Sequence, residues 1–284
     1  MIAGSLENPA ASVPLRVLAR RRGVKLTFAD LGNGEVDATE ALSESISSKT
    51  RMVLISHVDY ATGTCVDLES ISELAHDGDV LLLVDGIQAV GTVPVDVRAL
   101  GVDGYAFSRH KFLCGPDGAG VLYVRKEVQS EIRPTYTGVF SASGHGVAGE
   151  LKLMETAQRY EVSTRPLPVI MGGTAAVKWI REEVGLPYVF DRDKRLYGTL
   201  WRTLSGIDGV RVISQPSQSS LLTFAVDGVP VKEVVSRLRE NYVFTRTISV
   251  TEPVGVRISV GFWNRESDLE RIAETVRSIT CGSG

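Results

Sequence analysis

Residues 84–125 read VDGIQAVGTVPVDVRALGVDGYAFSRHKFLCGPDGAGVLYVR. Two apolar strands are predicted here, and each is followed by residues that can carry chemistry. The first, Val80 to Asp85, ends in an acid, which is costly to bury unless it meets a cation or a hydrogen-bond donor. The second, Gly104 to Ser108, leads into His110 and Lys111. Because α/β sheets bind ligands at the carboxyl ends of their strands, the stretch predicts a ligand site there.

The sequence on either side of this stretch extends the same pattern. Strands are predicted at Val24 to Phe28, Arg51 to His57 and Gly118 to Arg125, and helices at Thr39 to Ser47, with Thr39 as a possible cap, and at Leu68 to Ala75. Near-continuous apolar runs between helices indicate a parallel or mixed sheet that is covered on both faces. The fold class is therefore predicted to be α/β, with a mainly parallel mixed sheet.

The last third of the chain has a different pattern. A helical stretch begins after Pro166 and runs to about Val184, and a second helix covers Asp191 to Leu204. Four short strands and two more helices follow: strands at Val210 to Ile213, Leu221 to Val226, Val243 to Ile248 and Val256 to Val260, and helices at Val231 to Arg239 and Glu266 to Ile279. This mixture predicts a small α+β domain, with residues 1–187 forming a large domain and 188–284 the small one.

Composition excludes several classes of protein. The net charge of -3 over 284 residues provides no basic field for nucleic acid or for an anionic membrane surface. No apolar run approaches the ~20 residues of a membrane span. The three cysteines are an odd number without CxxC spacing, so neither disulfides nor a metal site is expected. With no signal peptide visible, we expect a cytoplasmic protein that binds neither nucleic acid nor membrane.

The features at these strand ends have ordinary structural explanations when each is taken alone. A strand that ends in Asp-Gly is often only a turn, a lysine is usually a solvated surface residue, and an arginine in a strand, such as Arg257 in GVRIS, usually lies at an edge. Taken together and in this order they favour function. A dinucleotide-binding protein is disfavoured because no GxGxxG follows the first strand.

One cofactor chemistry uses all these groups. A pyridinium ring needs a carboxylate at its nitrogen, which Asp85 could supply, and a donor at its phenolic oxygen, which Gln88 could supply. Its phosphate needs hydroxyl and imidazole donors, and Ser108 and His110 fit. These groups predict pyridoxal 5'-phosphate (PLP) as the cofactor.

The reacting groups are predicted from the same chemistry. Lys111 has the amine that forms a Schiff base with the aldehyde of the cofactor. Arg257 has the bidentate guanidinium that a substrate α-carboxylate requires. The substrate is therefore expected to be a small amino acid.

A family resemblance becomes specific at these residues. SHVDYATGT (56–64) and the stretch 84–125 resemble the core of class V aminotransferases, which include cysteine desulfurases, C–S lyases and isopenicillin N epimerase-like enzymes. RYEVST (159–164), FTRTI (244–248) and VRISVGFWNRESDLERI (256–272) continue the resemblance. It implies the fold-type I architecture of PLP-dependent transferases. It also implies a homodimer, in which Thr164 reaches the phosphate bound by the partner subunit.

The sequence also departs from the family pattern. Family members usually carry roughly a hundred further residues ahead of this start, including a helix N-terminus that cradles the phosphate. We therefore expect the large domain to be incomplete at its N-terminus. Asn8 stands where the family has a histidine that stacks on the cofactor, Tyr60 stands where desulfurases often have an asparagine, and Arg109 and Ser163 each replace a common glycine.

The cysteines bear on the choice of reaction. A desulfurase of this fold uses a mobile cysteine in the small domain, and none lies between Asn241 and Arg257. Cys281 is at the extreme tail, and Cys114 is expected to pack behind Lys111. We therefore expect a C–S β-lyase or an epimerase, in which Lys111 removes the α-proton as general base. A desulfurase, an aminotransferase and a catalytically impaired relative that serves as a partner protein remain alternatives.

Overall fold

A computed structural model describes residues 1–32, 34–146, 149–216, 218–248 and 254–281. Its larger sheet has six strands, in the order β2-β1-β3-β4-β5-β6. These strands are β1 Ile2–Gly4, β2 Thr27–Ala29, β3 Met52–Ser56, β4 Leu81–Asp85, β5 Gly104–Ser108 and β6 Gly120–Val124. Every neighbouring pair is parallel except β5 and β6, which are antiparallel.

Three helices belong to the same part of the chain: α1 Pro9–Arg22, α2 Ala38–Ser45 and α3 Leu68–Asp77. Helix α3 buries Ile71 and Ala75 against the sheet, and the Asp67 carboxylate caps its N-terminus. Helix α2 begins one residue earlier than predicted. Its cap is Asp37, which accepts hydrogen bonds from the Thr39 and Glu40 amides, so the prediction of Thr39 as the cap was wrong. Aspartate is among the strongest N-cap residues because its short carboxylate reaches these free amides.

The core of this part lies on the central strands. Val53 and Ile55 of β3 and Leu82 and Val84 of β4 are buried. Helices α1, α2 and α3 connect β1 to β2, β2 to β3 and β3 to β4, while β4 continues to β5 through residues 86–103 without a helix. Strands β3, β4 and β5 are parallel. As a result, the carboxyl ends of β3, β4 and β5 all lie at the same edge of the sheet.

The second sheet is antiparallel, in the order β11-β12-β10-β9. Its strands are β9 Val210–Val212, β10 Leu221–Val226, β11 Arg246–Ile248 and β12 Gly255–Ser259. Helices α5 Leu186–Ser205, α6 Val231–Glu240 and α7 Glu266–Cys281 supply the rest of its core, in which Leu200, Phe224 and Val256 are fully buried.

The chain between the two sheets contains a hairpin and a helix. Strands β7 Ala142–His145 and β8 Leu151–Leu153 pair with each other, and α4 Leu167–Trp179 follows them, continued by a π-helical turn at 180–184. The predicted fold class, a mainly parallel mixed sheet with a small α+β part, is confirmed. The division at residues 187/188 stays a prediction. Within the described ranges, no helix combines the length and apolar character needed to cross a bilayer.

Candidate active site

The site is built at the carboxyl ends of three neighbouring strands. Asp85, the last residue of β4, is in register with Ser56 at the end of β3 and with Ala106 in β5. Its carboxylate accepts a hydrogen bond from the Ile87 amide at 2.9 Å. Burial raises the pKa of Asp85, while that hydrogen bond and the positive charge of Lys111 oppose the shift.

Lys111 lies in the loop after β5. Burial lowers the pKa of its amine to about 8, Arg257 and Arg246 add to the decrease, and Asp85 opposes it. Asp85 and Arg257 both act electrostatically on Lys111, so the three side chains lie near one another. With a pKa of about 8, an appreciable fraction of the amine is neutral near neutral pH, which is the form that acts as nucleophile or base.

The turn after β4 contains a buried polar residue. Gln88 is buried, and its carbonyl accepts a hydrogen bond from the Thr92 hydroxyl at 2.9 Å. Gly86 makes the turn possible, because a Cβ at this position would lie 1.9 Å from the ring of Tyr105. The Tyr105 hydroxyl and the His57 Nδ1 are hydrogen-bonded at 2.9 Å, and burial lowers the pKa of His57 to about 4.

A turn after β3 joins the two sheets. We call residues 60–63 the joint turn. Four consecutive backbone carbonyls of this turn each accept a hydrogen bond from a side chain in the strands of the second sheet or in the loop between β9 and β10. Tyr60 accepts from Arg257, Ala61 from Thr223, Thr62 from Ser214 and Gly63 from Ser219. The Asp59 carboxylate holds the turn by accepting from the Ala61 amide at 2.8 Å and the Thr62 amide at 2.6 Å. Gly63 has φ +77° and lies so close to Leu221 that a Cβ would be 2.2 Å from its carbonyl oxygen.

Arg257 is held by this joint. It lies in β12, where its neighbours in register are Thr223 and Arg246. One Nη donates to the Tyr60 carbonyl, while Nε is buried and has no hydrogen-bond partner among the described residues. Burial lowers the pKa of Arg257, as does Arg246, while Asp59 opposes the shift. A buried guanidinium with unused donors is suited to receive a carboxylate.

A cavity of about 900 Å³ brings together Ser108 and Thr164. The Ser108 hydroxyl is buried and has no hydrogen-bond partner among the described residues. Ile87, two residues after Asp85, lines the same cavity. His110 does not line it: its Nδ1 lies 3.4 Å from a carboxylate oxygen of Asp117. An unsatisfied buried hydroxyl and a threonine at one cavity fit the needs of a phosphate group.

Glu7 belongs to the site but was missed in the sequence. Its two carboxylate oxygens accept hydrogen bonds at 2.7 Å from the Ser56 amide and the Ser56 hydroxyl. Burial raises its pKa to about 7, partly offset by the Ser56 hydrogen bonds, and Asp85 and Asp59 raise it further. The only signal was an acid inside an otherwise uncharged segment. The neighbouring Asn8 caps α1 by accepting from the Ala10 amide at 2.9 Å.

The cysteine thiols lie outside this constellation. Cys65 follows the joint turn, and burial raises its pKa to about 11. Cys114 is exposed, so the prediction that it packs behind Lys111 was wrong. Its backbone is left-handed, with φ 55°, in a turn that is closed by a hydrogen bond from the Cys114 amide to the Lys111 carbonyl. Cys281, the last residue of α7, is also exposed.

Comparison with known families assigns this arrangement. The model of the family described as aminotransferase class-V matches residues 1–272. The chain belongs to this family. The predicted cofactor, PLP, and the predicted class of PLP-dependent enzyme are thereby confirmed.

Curated relatives of the chain include proteins named as cysteine desulfurases. A probable cysteine desulfurase of Methanothermobacter thermautotrophicus is 28% identical over 92% of this chain and 68% of the relative. Probable cysteine desulfurase 2 of Mycobacterium leprae is 32% identical over 87% of this chain and 58% of the relative. The chain thus spans about two-thirds or less of the length of these relatives.

Solved structures agree in fold along nearly the whole chain. The cystine C–S lyase C-DES, in complex with its reaction product cysteine persulfide, gives a TM-score of 0.88 at 28% identity, covering 97% of this chain and 74% of that one. The cysteine desulfurase CsdA of Escherichia coli gives 0.87 at 26% identity, covering 98% and 71%. In another C-DES structure, glycine is covalently linked to the PLP cofactor.

The depressed pKa of Lys111 predicts a pH-dependent stability difference. Because this pKa is about 8 in the folded protein and 10.5 in an unfolded chain, the unfolded chain binds more protons between these pH values, and wild-type stability rises with pH there. Lys111→Met lacks this rise. Its stability relative to wild type should therefore decrease from pH 8 to pH 10.5, as measured by urea unfolding of the cofactor-free protein.

The exposed Lys178→Met is the matched control for removing one lysine charge. If Lys111→Met followed the same pH course as wild type over this window, the pKa of Lys111 would not be depressed by folding.

Proposed function

We propose that this chain forms the PLP-dependent catalytic centre of an enzyme that removes the α-proton of a small sulfur-containing amino acid and cleaves its Cβ–S bond. The single observation that carries this proposal is that the joint turn holds Arg257 beside Lys111 and Asp85. Three charged side chains, each half-buried, thus lie together at this point. Groups with shifted pKa values that gather at one site are typical of catalytic centres.

The residues present fit the cofactor. When bound, PLP supplies an aldehyde that reacts with amines and a ring that withdraws electrons from the substrate. Asp85 would hold a proton on the ring nitrogen, and Gln88 would donate to the phenolic oxygen. Ser108, whose hydroxyl is buried without a partner, would donate to the phosphate. Thr164 would reach the phosphate bound by the partner subunit, as the family resemblance implies, and His110 would reach the phosphate only by leaving Asp117.

Two residues act on the substrate. The Arg257 guanidinium binds the α-carboxylate, which fixes the orientation of the Cα–H bond. Lys111, with its pKa near 8, accepts the α-proton at Nζ and can return a proton to the product. Since the site is largely shielded from water, the interaction between guanidinium and carboxylate is stronger than it would be in bulk solvent.

The cofactor assignment predicts a visible spectrum. The purified chain with added PLP should absorb at about 410–430 nm, as expected for this cofactor joined to a lysine amine. Lys111→Ala should lose this band while keeping its far-ultraviolet circular dichroism, whereas Lys178→Ala should keep both. A band of unchanged intensity in Lys111→Ala would mean that another amine holds the cofactor. A colourless wild-type protein would instead favour the alternative of a non-catalytic partner protein.

Arg257→Ala tests the substrate assignment. Because the substrate carboxylate would lose a charge-assisted bidentate contact, KM for the amino acid should rise about ten- to hundred-fold, with the PLP band preserved. Arg257→Lys should recover only part of this loss, since lysine cannot make the bidentate contact. Steady-state kinetics measure both variants. An unchanged KM in Arg257→Ala would remove this residue from the substrate site.

The choice between lyase and desulfurase rests on the thiols. A desulfurase reaction needs an enzyme thiolate that takes up the sulfur and leaves alanine. No cysteine occurs between residues 241 and 257, and burial holds Cys65 in its protonated form. In a lyase reaction the leaving group carries the sulfur away, and no enzyme thiol is required. These points favour the lyase, although the curated relatives carry the name cysteine desulfurase.

Product analysis separates these reactions. With cystine as substrate we expect pyruvate, ammonia and cysteine persulfide in equal amounts. The rates should be unchanged when Cys65, Cys114 and Cys281 are all replaced by serine. Alanine formation from cysteine that disappears in this triple variant would instead identify a desulfurase. Racemised amino acid without pyruvate would identify an epimerase, which uses the same α-proton step.

We also propose that the enzyme is a homodimer. Leu167 and Met171, at the start of α4 and next to Thr164, are 61% and 69% exposed. Apolar side chains of this size on adjacent turns are typical of a surface that another subunit covers. The cytoplasmic location likewise stays a prediction from the sequence.

A further inference from the structure

Arg109 is the one residue next to Lys111 that departs from the family pattern by gaining a charge. Its guanidinium lines the cavity that also contains Ser108 and Thr164. Nη1 donates to the Ile170 carbonyl at 3.0 Å. Nε is buried and has no hydrogen-bond partner among the described residues. Nη1 also lies 3.5 Å from the Thr174 hydroxyl, and no hydrogen bond from Nη2 is found among the described residues, so the guanidinium keeps donors that its own contacts do not use.

The charges around this cavity leave Arg109 without an acidic partner. Three charged residues line the cavity: Arg109, Glu161 and Arg165. Glu161 and Arg165 form an ion pair with each other. In the part of the chain that the structure describes, no carboxylate lies within ion-pair distance of Arg109. The cavity therefore carries one uncompensated positive charge.

Packing fixes the position of this charge. The Arg109 stem passes over Gly173 of α4, where a Cβ would lie 2.8 Å from Cδ and 3.2 Å from Nε. Gly115 contacts the start of the same side chain, since a Cβ there would lie 3.2 Å from the Arg109 Cβ. A side chain that is already ordered loses little conformational entropy when a ligand binds.

We propose that Arg109 is a further phosphate-binding residue, which supplies the positive charge for the phosphate of the cofactor. A phosphate monoester carries about -1.5 to -2 charges at neutral pH, and a hydroxyl such as that of Ser108 offers no compensating charge. His110 is next to Asp117, so its imidazole is already engaged. Arg109 is the charged group at this cavity that an anion can use without breaking an ion pair. This inference rests on the proposed function.

Comparing PLP with pyridoxal isolates the phosphate. The chain is titrated with each compound, and the increase of the absorption band at about 410–430 nm gives the affinity for each. Arg109→Gln should weaken PLP binding about ten- to hundred-fold and leave pyridoxal binding unchanged, because only PLP has the dianion. Arg109→Lys should show an intermediate loss, since it keeps the charge but loses the planar donors.

Arg165→Gln is the matched control, because it removes an arginine from the same cavity whose charge Glu161 already meets. Its ratio of PLP to pyridoxal affinity should change much less than that of Arg109→Gln. An equal change in both variants, or an equal loss of PLP and pyridoxal binding in Arg109→Gln, would overturn the assignment and leave Arg109 a support for α4. If wild type bound PLP and Arg109→Gln kept its ratio, only this inference would fall. If wild type bound neither compound, the proposed function would fall first, and this inference with it.

Discussion

The arrangement of the site depends on the hydrogen bonds between the joint turn and the smaller sheet. Four successive backbone carbonyls at residues 60–63 each accept a hydrogen bond from a side chain of the smaller sheet or of the loop between β9 and β10. Buried carbonyls must be paired, so this contact tolerates little sliding. Three of the donors are small hydroxyls that fix the contact. The fourth is Arg257, which this contact holds near Lys111. Gly63 is required because the two backbones approach too closely for any side chain.

The charged groups of the site are arranged in a way that favours ligand binding over the stability of the folded protein. Burial raises the pKa values of two acids, Asp85 and Glu7, and lowers those of two bases, Lys111 and Arg257. Each shift favours the neutral form of the side chain. Removing charges from water costs free energy that loosely paired groups do not recover. A folded protein tolerates this cost where a ligand completes the pairing, and such violations of ordinary packing are expected at functional sites. A cationic ring nitrogen at Asp85 and an anionic carboxylate at Arg257 would each complete one ion pair.

Much of this could be predicted from sequence because the informative residues are local. The strands Gly104–Ser108 and Leu221–Val226 were predicted with the bounds that the structure gives, since continuous apolar runs mark them. Strand β1 and helix α1 were missed because the strand has three residues and Pro14 interrupts the helical pattern. The joint turn could not be predicted at all. Its donors lie about 150 to 200 positions away in the chain, and serine and threonine side chains give no local signal of such a contact.

The same geometry explains why the reaction is harder to derive than the cofactor. In the proposed mechanism, Asp85, Lys111 and Arg257 act at the Cα of the amino acid, which lyase, epimerase and desulfurase reactions share, so these residues do not select among the three. The selection depends on what receives the sulfur. Cys65 lies just beyond the joint turn. Its backbone amide donates a hydrogen bond to the Gln218 side chain at 3.0 Å, and burial keeps its thiol protonated. A nucleophilic thiolate requires the opposite environment, exposed and electropositive. In the proposed lyase reaction, the sulfur leaves with a fragment of the substrate itself, which is the outcome expected when the substrate is a disulfide such as cystine.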